Sequence, residues 1–260
     1  MSADFVKTTL DGHVGIITLD RPERHNALND LMSEELRAAC VWAKDTDEAR
    51  CILIRAEGKS FCAGRDTTML GHRAKDESDF HFVRRAQQSR IDMADMPKPV
   101  ITAINGAAIG GGCEIALAAD IRVASTGASF SLPEINYGLL PDTGGTQYVT
   151  ALAGPGVAKY MVMSGARVFA QQAFGWGLVD FLVAPEELQA FALDMARQIA
   201  GKPPINLAMA KQLVDNVYGP AVREGVRHEL IAQTAIFKTD DYAEARAALR
   251  EKRAPVFRGR

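Results

Sequence analysis

The stretch that decides the fold reads ITAINGAAIGGGCEIALAA, residues 101–119. Residues 101–104 are mostly apolar and predict a short buried strand, and the small and apolar residues 113–119 predict a helix. The glycine triplet 110–112 forms the turn between them, because glycine adopts positive φ and allows close backbone approach. The stretch therefore predicts a strand–turn–helix unit of an α/β protein.

The glycine turn exposes main-chain amides at the start of the helix. These amides have no partner within the helix and lie at the positive end of its dipole. One of them, which we assign to Gly111, can bind an oxyanion that develops during a reaction. The alternative is that the glycines serve only tight strand–helix packing. A phosphate-binding loop is disfavoured because no Gly-Lys-Ser/Thr follows the triplet.

Two glutamates stand in distinctive surroundings near this turn. Glu114 ends the run GGGCE, and Glu134 follows 20 positions later within FSLPEINYG, residues 130–138. Two carboxylates that rigid elements bring to one point can add or remove water across a double bond. One of them then acts as general acid and the other as general base.

A second amide donor is predicted upstream of the glycine turn. Residues 51–55 are typical of a strand, and FCAGRD follows at residues 61–66. The small pair Ala63 and Gly64 permits close backbone approach, so this loop can supply the second N–H of an oxyanion hole. An ordinary surface turn is the alternative.

Five segments in this order resemble the crotonase superfamily, and within it the enoyl-CoA hydratases. They are LDRPERHNAL at 19–28, SFCAGRD at 60–66, residues 98–120, residues 130–147 and REKRAPVF at 250–257. The resemblance runs nearly end to end. It implies an α/β fold, a crotonase-like spiral of ββα repeats with a C-terminal helical oligomerisation region. Residues 1–200 would form the spiral core with the CoA-thioester site, and residues 201–260 the helical trimerisation region.

The resemblance also implies roles for individual residues. Ala63 and Gly111 would supply the oxyanion-hole amides, and Glu114 and Glu134 would act as the acid/base pair around one water. The residues implied to contact the substrate, including its coenzyme A part, are Arg24, His25, Ala63, Gly64, Arg65, Asp66, Gly110, Tyr137, Lys252 and Phe257. The implied activity is that of an enoyl-CoA hydratase. The alternatives are an enoyl-CoA isomerase and a non-catalytic acyl-CoA-binding homologue.

Some positions depart from the family pattern. Arg65, Asp142 and Thr143 stand where smaller residues are common in hydratases. An additional carboxylate is compatible with double-bond isomerisation, and the alternative is that Asp142 caps the following helix. Residues 67–95 match least, and in the family this region shapes the acyl pocket. The acyl group of the substrate is therefore not predicted.

Composition narrows the class of protein without deciding it. The 260 residues suit one large domain, or one domain with an appendage, and the net charge of −2 gives no electrostatic case for nucleic acid or an anionic membrane. The four cysteines form no CxxC pair, which predicts buried free thiols in a reducing compartment. A catalytic Cys62 or Cys113 is disfavoured because no histidine accompanies either in a motif.

Cofactors, location and partners are also expectations. The five histidines are scattered without metal-ligand spacing, and coenzyme A is part of the substrate, so we expect no metal and no separate cofactor. No leader or membrane-spanning run is visible, so we expect a soluble cytoplasmic protein. The resemblance implies a homotrimer or a dimer of trimers, formed by the helices from about residue 204. Phe237 and the tail 252–257 would complete a neighbouring subunit's coenzyme A site, unless the tail is a frayed terminus.

The pattern of apolar and turn residues predicts the remaining elements. Strands at 5–10 and 13–19 are joined by Asp11-Gly12 in a hairpin, and a further strand is expected at 121–124. A helix is expected at 30–44, with an apolar face formed by Leu31, Leu36, Ala39 and Trp42. Further helices are expected at 154–164, at 170–176, and almost continuously from 185, with Pro203-Pro204 opening one of them.

Overall fold

A six-stranded sheet forms the centre of the molecule, which the computed structural model describes over residues 4–73 and 76–260. Its strands are β1 Val6–Asp11, β2 Val14–Leu19, β3 Cys51–Ala56, β4 Val100–Ile104, β6 Ile121–Ser125 and β9 Phe181–Val183. They lie side by side in that order. β1 is antiparallel to β2, and every other neighbouring pair is parallel.

The N-terminal hairpin is confirmed, but its turn lies one residue later than predicted. β1 continues through Asp11, and Gly12 and His13 form the turn. Gly12 has φ +56°, a conformation that glycine adopts without steric cost. The turn therefore starts at the glycine, and Asp11 pairs with Val14 as the last residue of the strand.

A second sheet contains three short strands, β5 Ala107–Ile109, β7 Ser129–Ser131 and β8 Val168–Phe169. β5 follows β4 and β7 follows β6, so successive turns of the chain add one strand to each sheet. At the first of these bends, a Cβ on Gly106 would collide with the carbonyl oxygen of Lys59, so only glycine fits there. The expected spiral of ββα repeats is confirmed.

Eight α-helices surround the sheets in the described part of the chain. They are α1 Asp30–Asp45, α2 Asp79–Ala94, α3 Gly111–Leu117, α4 Gly145–Ser164, α5 Ala170–Gly175, α6 Leu188–Ala200, α7 Pro204–Ile236 and α8 Asp240–Glu251. Short 3₁₀ helices occur at Pro22–Arg24, Thr67–Met69 and Glu134–Tyr137. Among the α-helices, α2 lies in the region for which the sequence pattern predicted no element.

The first helix has the predicted extent to within one residue, but its buried face is rotated. The Asn29 side chain caps it by accepting a hydrogen bond from Met32 N at 2.8 Å. Its buried residues are Met32, Leu36, Ala39, Cys40 and Ala43. Leu31 is exposed, so its assignment to the apolar face was wrong, because each position turns the helix by about 100°.

Two helices on either side of the predicted site begin earlier than expected. α3 starts at Gly111 rather than Cys113, with Gly110 at φ +53° immediately before it. The glycine triplet is therefore partly the first turn of the helix. The predicted helix 154–164 is the second half of α4, which is interrupted at Gly154 (φ +81°).

The C-terminal region is helical, as predicted, and α7 begins at Pro204. The preceding helix, α6, packs Ala192 and Ala196 against the central-sheet residues Leu53 and Ile101. No helix in residues 4–73 and 76–260 is long and apolar enough to cross a membrane. The division into residues 1–200 and 201–260 stays a prediction.

Candidate active site

A cavity of about 490 Å³ lies between α2, the start of α3, the segment from Pro133 to Thr143, and α7. It contains many of the residues predicted from sequence, in addition to large apolar side chains. The predicted residues on its wall are Ala63, Gly64, Arg65, Gly110, Gly111, Glu114, Glu134 and Tyr137. The two glutamates and the two predicted amide loops thus meet in one place.

Glu114 is held by the N-terminus of α4. It is 2% exposed, and its Oε1 accepts hydrogen bonds from the amides of Thr143 (3.0 Å) and Gly145 (2.9 Å). The Thr143 hydroxyl donates a further short hydrogen bond to Oε2. These three donors fix the orientation of the carboxylate, and the amides add the favourable dipole of a helix start.

Glu134 has a different environment from Glu114. It opens the 3₁₀ helix Glu134–Tyr137, and its Oε2 is buried without a hydrogen-bond partner among the described residues. Burial, and then the nearby charge of Glu114, raise the pKa of Glu134 well above its usual range. A Cβ on Gly110 would lie 2.7 Å from Glu134 Oε1, so a glycine at that position gives this carboxyl its space.

The amide of Ala63 is not free to bind a ligand. It donates to the carbonyl oxygen of His25 at 3.0 Å, which conflicts with its predicted role in an oxyanion hole. The carbonyl of Gly64 accepts from Leu28 N at 2.7 Å. Because carbonyl and N–H point in opposite directions across a trans peptide, the amide of Arg65 points away from Leu28.

In the two predicted amide loops, the N–H groups of Arg65 and Gly111 are therefore available to bind a ligand. Neither donates a hydrogen bond to another described residue. The two loops approach closely, since a Cβ on Gly64 would lie 3.2 Å from Gly111 N. Gly64 has φ +79°, and the collision of such a Cβ with the carbonyl of Ile109 explains why this position is glycine.

The other residues implied to contact coenzyme A lie outside the cavity wall. Arg24 ends the 3₁₀ helix Pro22–Arg24 and is exposed, and His25 Nδ1 lies 3.0 Å from the hydroxyl of Ser60. Asp66 is buried and forms an ion pair with Arg21 at 2.9 Å. The carboxylate of Asp66 is thus engaged in holding the loop, and its contact with a substrate stays a prediction.

The C-terminal residues divide into two groups. Lys252 and Phe257 are exposed and do not line the cavity. The tail folds back on α8, where Arg258 N and Gly259 N donate to the carboxylate of Asp241 at 2.6 and 2.8 Å. Phe237 lies in the cavity of its own chain, whereas the resemblance implied a role in a neighbour's site.

Asp142 does not cap the following helix, so that alternative was wrong. The residue before α4 is Gly144, and no side chain caps it in the usual local manner. Asp142 lines the cavity instead. Burial, and then the charge of Glu114, raise the pKa of the Asp142 carboxyl to about 7.

The sequence patterns did not predict two charged residues at the site. Glu229 of α7 accepts hydrogen bonds from Gly144 N (2.7 Å), Thr146 N (3.2 Å) and the Thr146 hydroxyl. Burial, and then the charge of Glu114, raise the pKa of Glu229 to about 8. The second residue, Arg90 of α2, lines the cavity. A charged residue on the buried face of a helix could have indicated such a residue, since helical spacing places Glu229 on the same face as Val222 and Val226.

The predicted buried free thiols are confirmed. All four cysteines are buried and none forms a disulfide. Burial raises the pKa of Cys40 and Cys51 to about 12 and that of Cys62 to about 11, and it raises the pKa of Cys113 well above its usual range. Such thiols are poor nucleophiles at neutral pH.

Comparison with known proteins identifies the family of the chain. The sequence profile of the enoyl-CoA hydratase/isomerase family matches residues 9–260. A carnitinyl-CoA dehydratase of Salmonella typhi is 36% identical over 257 residues, which is 97% of each chain.

Solved structures of the same kind superpose closely. An enoyl-CoA hydratase/isomerase from Pseudoalteromonas atlantica has a TM-score of 0.88 at 26% identity, over 98% of this chain and 100% of the other. A carnitinyl-CoA hydratase from Mycobacterium avium has a TM-score of 0.86 at 28% identity, over 100% of both chains. The chain therefore belongs to the enoyl-CoA hydratase/isomerase family of the crotonase superfamily of enzymes.

Proposed function

We propose that the protein is an enoyl-CoA hydratase, which adds water reversibly to a 2-enoyl-CoA and forms a 3-hydroxyacyl-CoA. The observation that supports this is the presence of Glu114 and Glu134 in one cavity, beside the amides of Gly111 and Arg65. Dehydration is the reverse of this reaction, so the name of the Salmonella typhi relative is compatible with the same chemistry.

The amides of Gly111 and Arg65 bind the thioester carbonyl oxygen. When water attacks the β-carbon, negative charge moves to this oxygen as the thioester becomes an enolate. The two donors stabilise that charge more than the neutral carbonyl, which is what accelerates the reaction. Main-chain amides, rather than a side chain, thus stabilise the oxyanion.

The two glutamates divide the proton transfers. Glu114, oriented by its three donors, takes a proton from the attacking water, and the resulting C–O bond forms at the β-carbon. Glu134, which holds a proton because its pKa is raised, delivers that proton to the α-carbon. After one turnover the proton is on Glu114, and exchange with solvent restores the starting state.

The experiment follows the absorbance of the conjugated enoyl thioester, first with crotonyl-CoA. Glu114→Gln and Glu134→Gln should each reduce kcat by about 10²- to 10⁴-fold, the usual contribution of a positioned acid or base. Both variants should still bind 3-hydroxybutyryl-CoA. Glu186→Gln, at an exposed position outside the cavity, is the matched control. Near-normal turnover by either active-site variant would show that the mechanism is wrong.

One observation favours a second candidate, an enoyl-CoA isomerase. Asp142 lines the cavity, and a pKa of about 7 lets this carboxyl exchange protons at neutral pH. In that reaction a carboxylate removes the α-proton of a 3-enoyl-CoA, the two amides stabilise the resulting dienolate, and a proton returns at the γ-carbon, so that a 2-enoyl-CoA forms and no water is added. Turnover of 3-enoyl-CoA that Asp142→Asn abolishes, together with no hydration of 2-enoyl-CoA, would replace the hydratase by the isomerase.

A further inference from the structure

Arg90 is a buried cation whose presence the proposed reaction does not explain. It is 5% exposed and lies on the wall of the cavity. Its Nη1 donates to the hydroxyl of Ser89 at 2.7 Å and its Nη2 to the carbonyl of Gly111 at 3.2 Å. Its Nε is buried without a partner among the described residues.

The other buried or half-buried arginines of the cavity have carboxylate partners. Arg65, Arg73 and Arg85 pair with Asp30, Asp79 and Glu77, at 2.8, 3.3 and 3.0 Å respectively. Within the described residues no carboxylate comes within ion-pair distance of Arg90. Because an unpaired buried charge is costly, a ligand that supplies the missing anion would be bound favourably.

Asp142 does not fill this role. It lines the same cavity, and Arg90 acts on its carboxyl only through the longer-range field. Asp142 contacts α2 through its main-chain carbonyl, which accepts a hydrogen bond from Gln87 Nε2 at 2.7 Å. The space beside Arg90 is thus left to a ligand.

The aromatic part of the cavity argues against a cationic acyl group. A quaternary ammonium is usually held by the faces of aromatic rings. Here the guanidinium of Arg73 lies 3.7 Å from the ring centre of Phe82 and 4.5 Å from that of Phe237. These ring faces already hold a cation, and a second positive charge would be repelled.

We propose that Arg90 binds a carboxylate on the acyl group, so that the preferred substrates are enoyl-CoA thioesters of dicarboxylic acids. This inference rests on the proposed function, because it assigns the acyl group of that same site. It separates this chain from its relatives that are named for carnitinyl-CoA, whose acyl group carries a quaternary ammonium.

The test measures binding of saturated thioesters, which cannot be hydrated. Succinyl-CoA and glutaryl-CoA are compared by calorimetry with valeryl-CoA and with the cationic 4-trimethylammoniobutyryl-CoA. Wild-type protein should bind one of the carboxylate thioesters about 10-fold or more tighter than valeryl-CoA, as a charge-assisted hydrogen bond allows. The cationic thioester should bind most weakly.

Variants show whether Arg90 causes this preference. Arg90→Met should abolish it and change valeryl-CoA binding little, and Arg90→Lys, which keeps the charge, should retain part of it. Arg85→Met, on the same helix and cavity wall, should keep the preference. A uniform loss of affinity in Arg90→Met, or no preference in the wild type, overturns the proposal. Since no turnover is involved, absence of hydratase activity would leave this result unchanged and would refute only the proposed function.

Discussion

At the scale of single residues, the environment distinguishes two chemically identical side chains. Glu114 receives three hydrogen bonds from the start of α4, whereas Glu134 keeps a buried oxygen without a partner among the described residues. Burial, and then the charge of Glu114, raise the pKa of Glu134. Two carboxyl groups in contrasting surroundings are what an acid/base pair requires.

The raised pKa of Glu134 predicts how activity depends on pH. The proton needed at the α-carbon is present below this pKa and is lost as the pH rises through it, so kcat for hydration should fall on the alkaline side. The folded state also holds this proton more tightly than the unfolded chain, whose pKa is about 4.5, so this contribution to stability declines as the pH rises. Steady-state kcat between about pH 6 and about pH 10 tests this for an acid of raised pKa. A profile that rises throughout would contradict the assignment of Glu134 as the acid.

At the scale of elements, the N-terminus of α4 is shared by two buried carboxylates. Glu114 accepts hydrogen bonds from the amides of Thr143 and Gly145, and Glu229 accepts them from the amides of Gly144 and Thr146. Each carboxylate also accepts the hydroxyl of its threonine. α4 is therefore capped from α3 on one side and from α7 on the other, which couples the C-terminal region to the site.

This symmetry provides a matched pair of variants. Thr143→Val removes the hydroxyl donor from Glu114 and should lower kcat about 10-fold or more with little change in KM, since a hydrogen bond to a charged group contributes about 1.5–3 kcal/mol. Thr146→Val removes the same donor from Glu229 and should lower the melting temperature while kcat stays close to wild type. Steady-state kinetics and thermal unfolding of both variants test this prediction. Equal losses of kcat would show that the hydroxyl of Thr143 has no special role at Glu114.

At the scale of the whole molecule, the first half of α7 leaves an apolar face uncovered. Ile205, Leu213 and Val217 are 72%, 69% and 86% exposed, and Met209 and Val214 are exposed beside them. A contiguous apolar surface of this kind marks an interaction site. We propose that copies of the same chain cover it, as the family resemblance implies for a trimer or a dimer of trimers.

A charge placed on this face should disrupt the assembly. The double variant Leu213→Glu/Val217→Glu should shift the mass in sedimentation analysis from an oligomer to a monomer, because the buried charges would have no partner. Leu10→Glu, at an exposed apolar position on β1, is the control and should leave the mass unchanged. A wild-type protein that sediments as a monomer would refute the assembly itself.

Patterns in the sequence located the hairpin, strand β4, helix α3, the buried thiols and the two glutamates of the cavity, but not the short strand β5 that lies between β4 and α3. These features depend on neighbouring residues, since periodicity and turn chemistry act within a few positions. Their boundaries moved by one or two residues where backbone geometry overrode composition, as at Gly12 and Gly111.

Only the tertiary structure decided which groups complete the site. Glu229 lies 85 residues from the amide of Gly144 that it accepts from, and Thr143 lies 29 residues from Glu114. Arg65 replaces Ala63 as amide donor because the Ala63 N–H donates to the carbonyl of His25, whereas the Gly64 carbonyl accepts from Leu28 N and leaves the Arg65 N–H available. His25 and Leu28 belong to another segment of the chain. The unpaired state of Arg90 likewise depends on where the carboxylates of other elements lie. The sequence alone determined the family and the chemical groups, and folding determined their partners, because hydrogen bonds and ion pairs join residues that no local pattern relates.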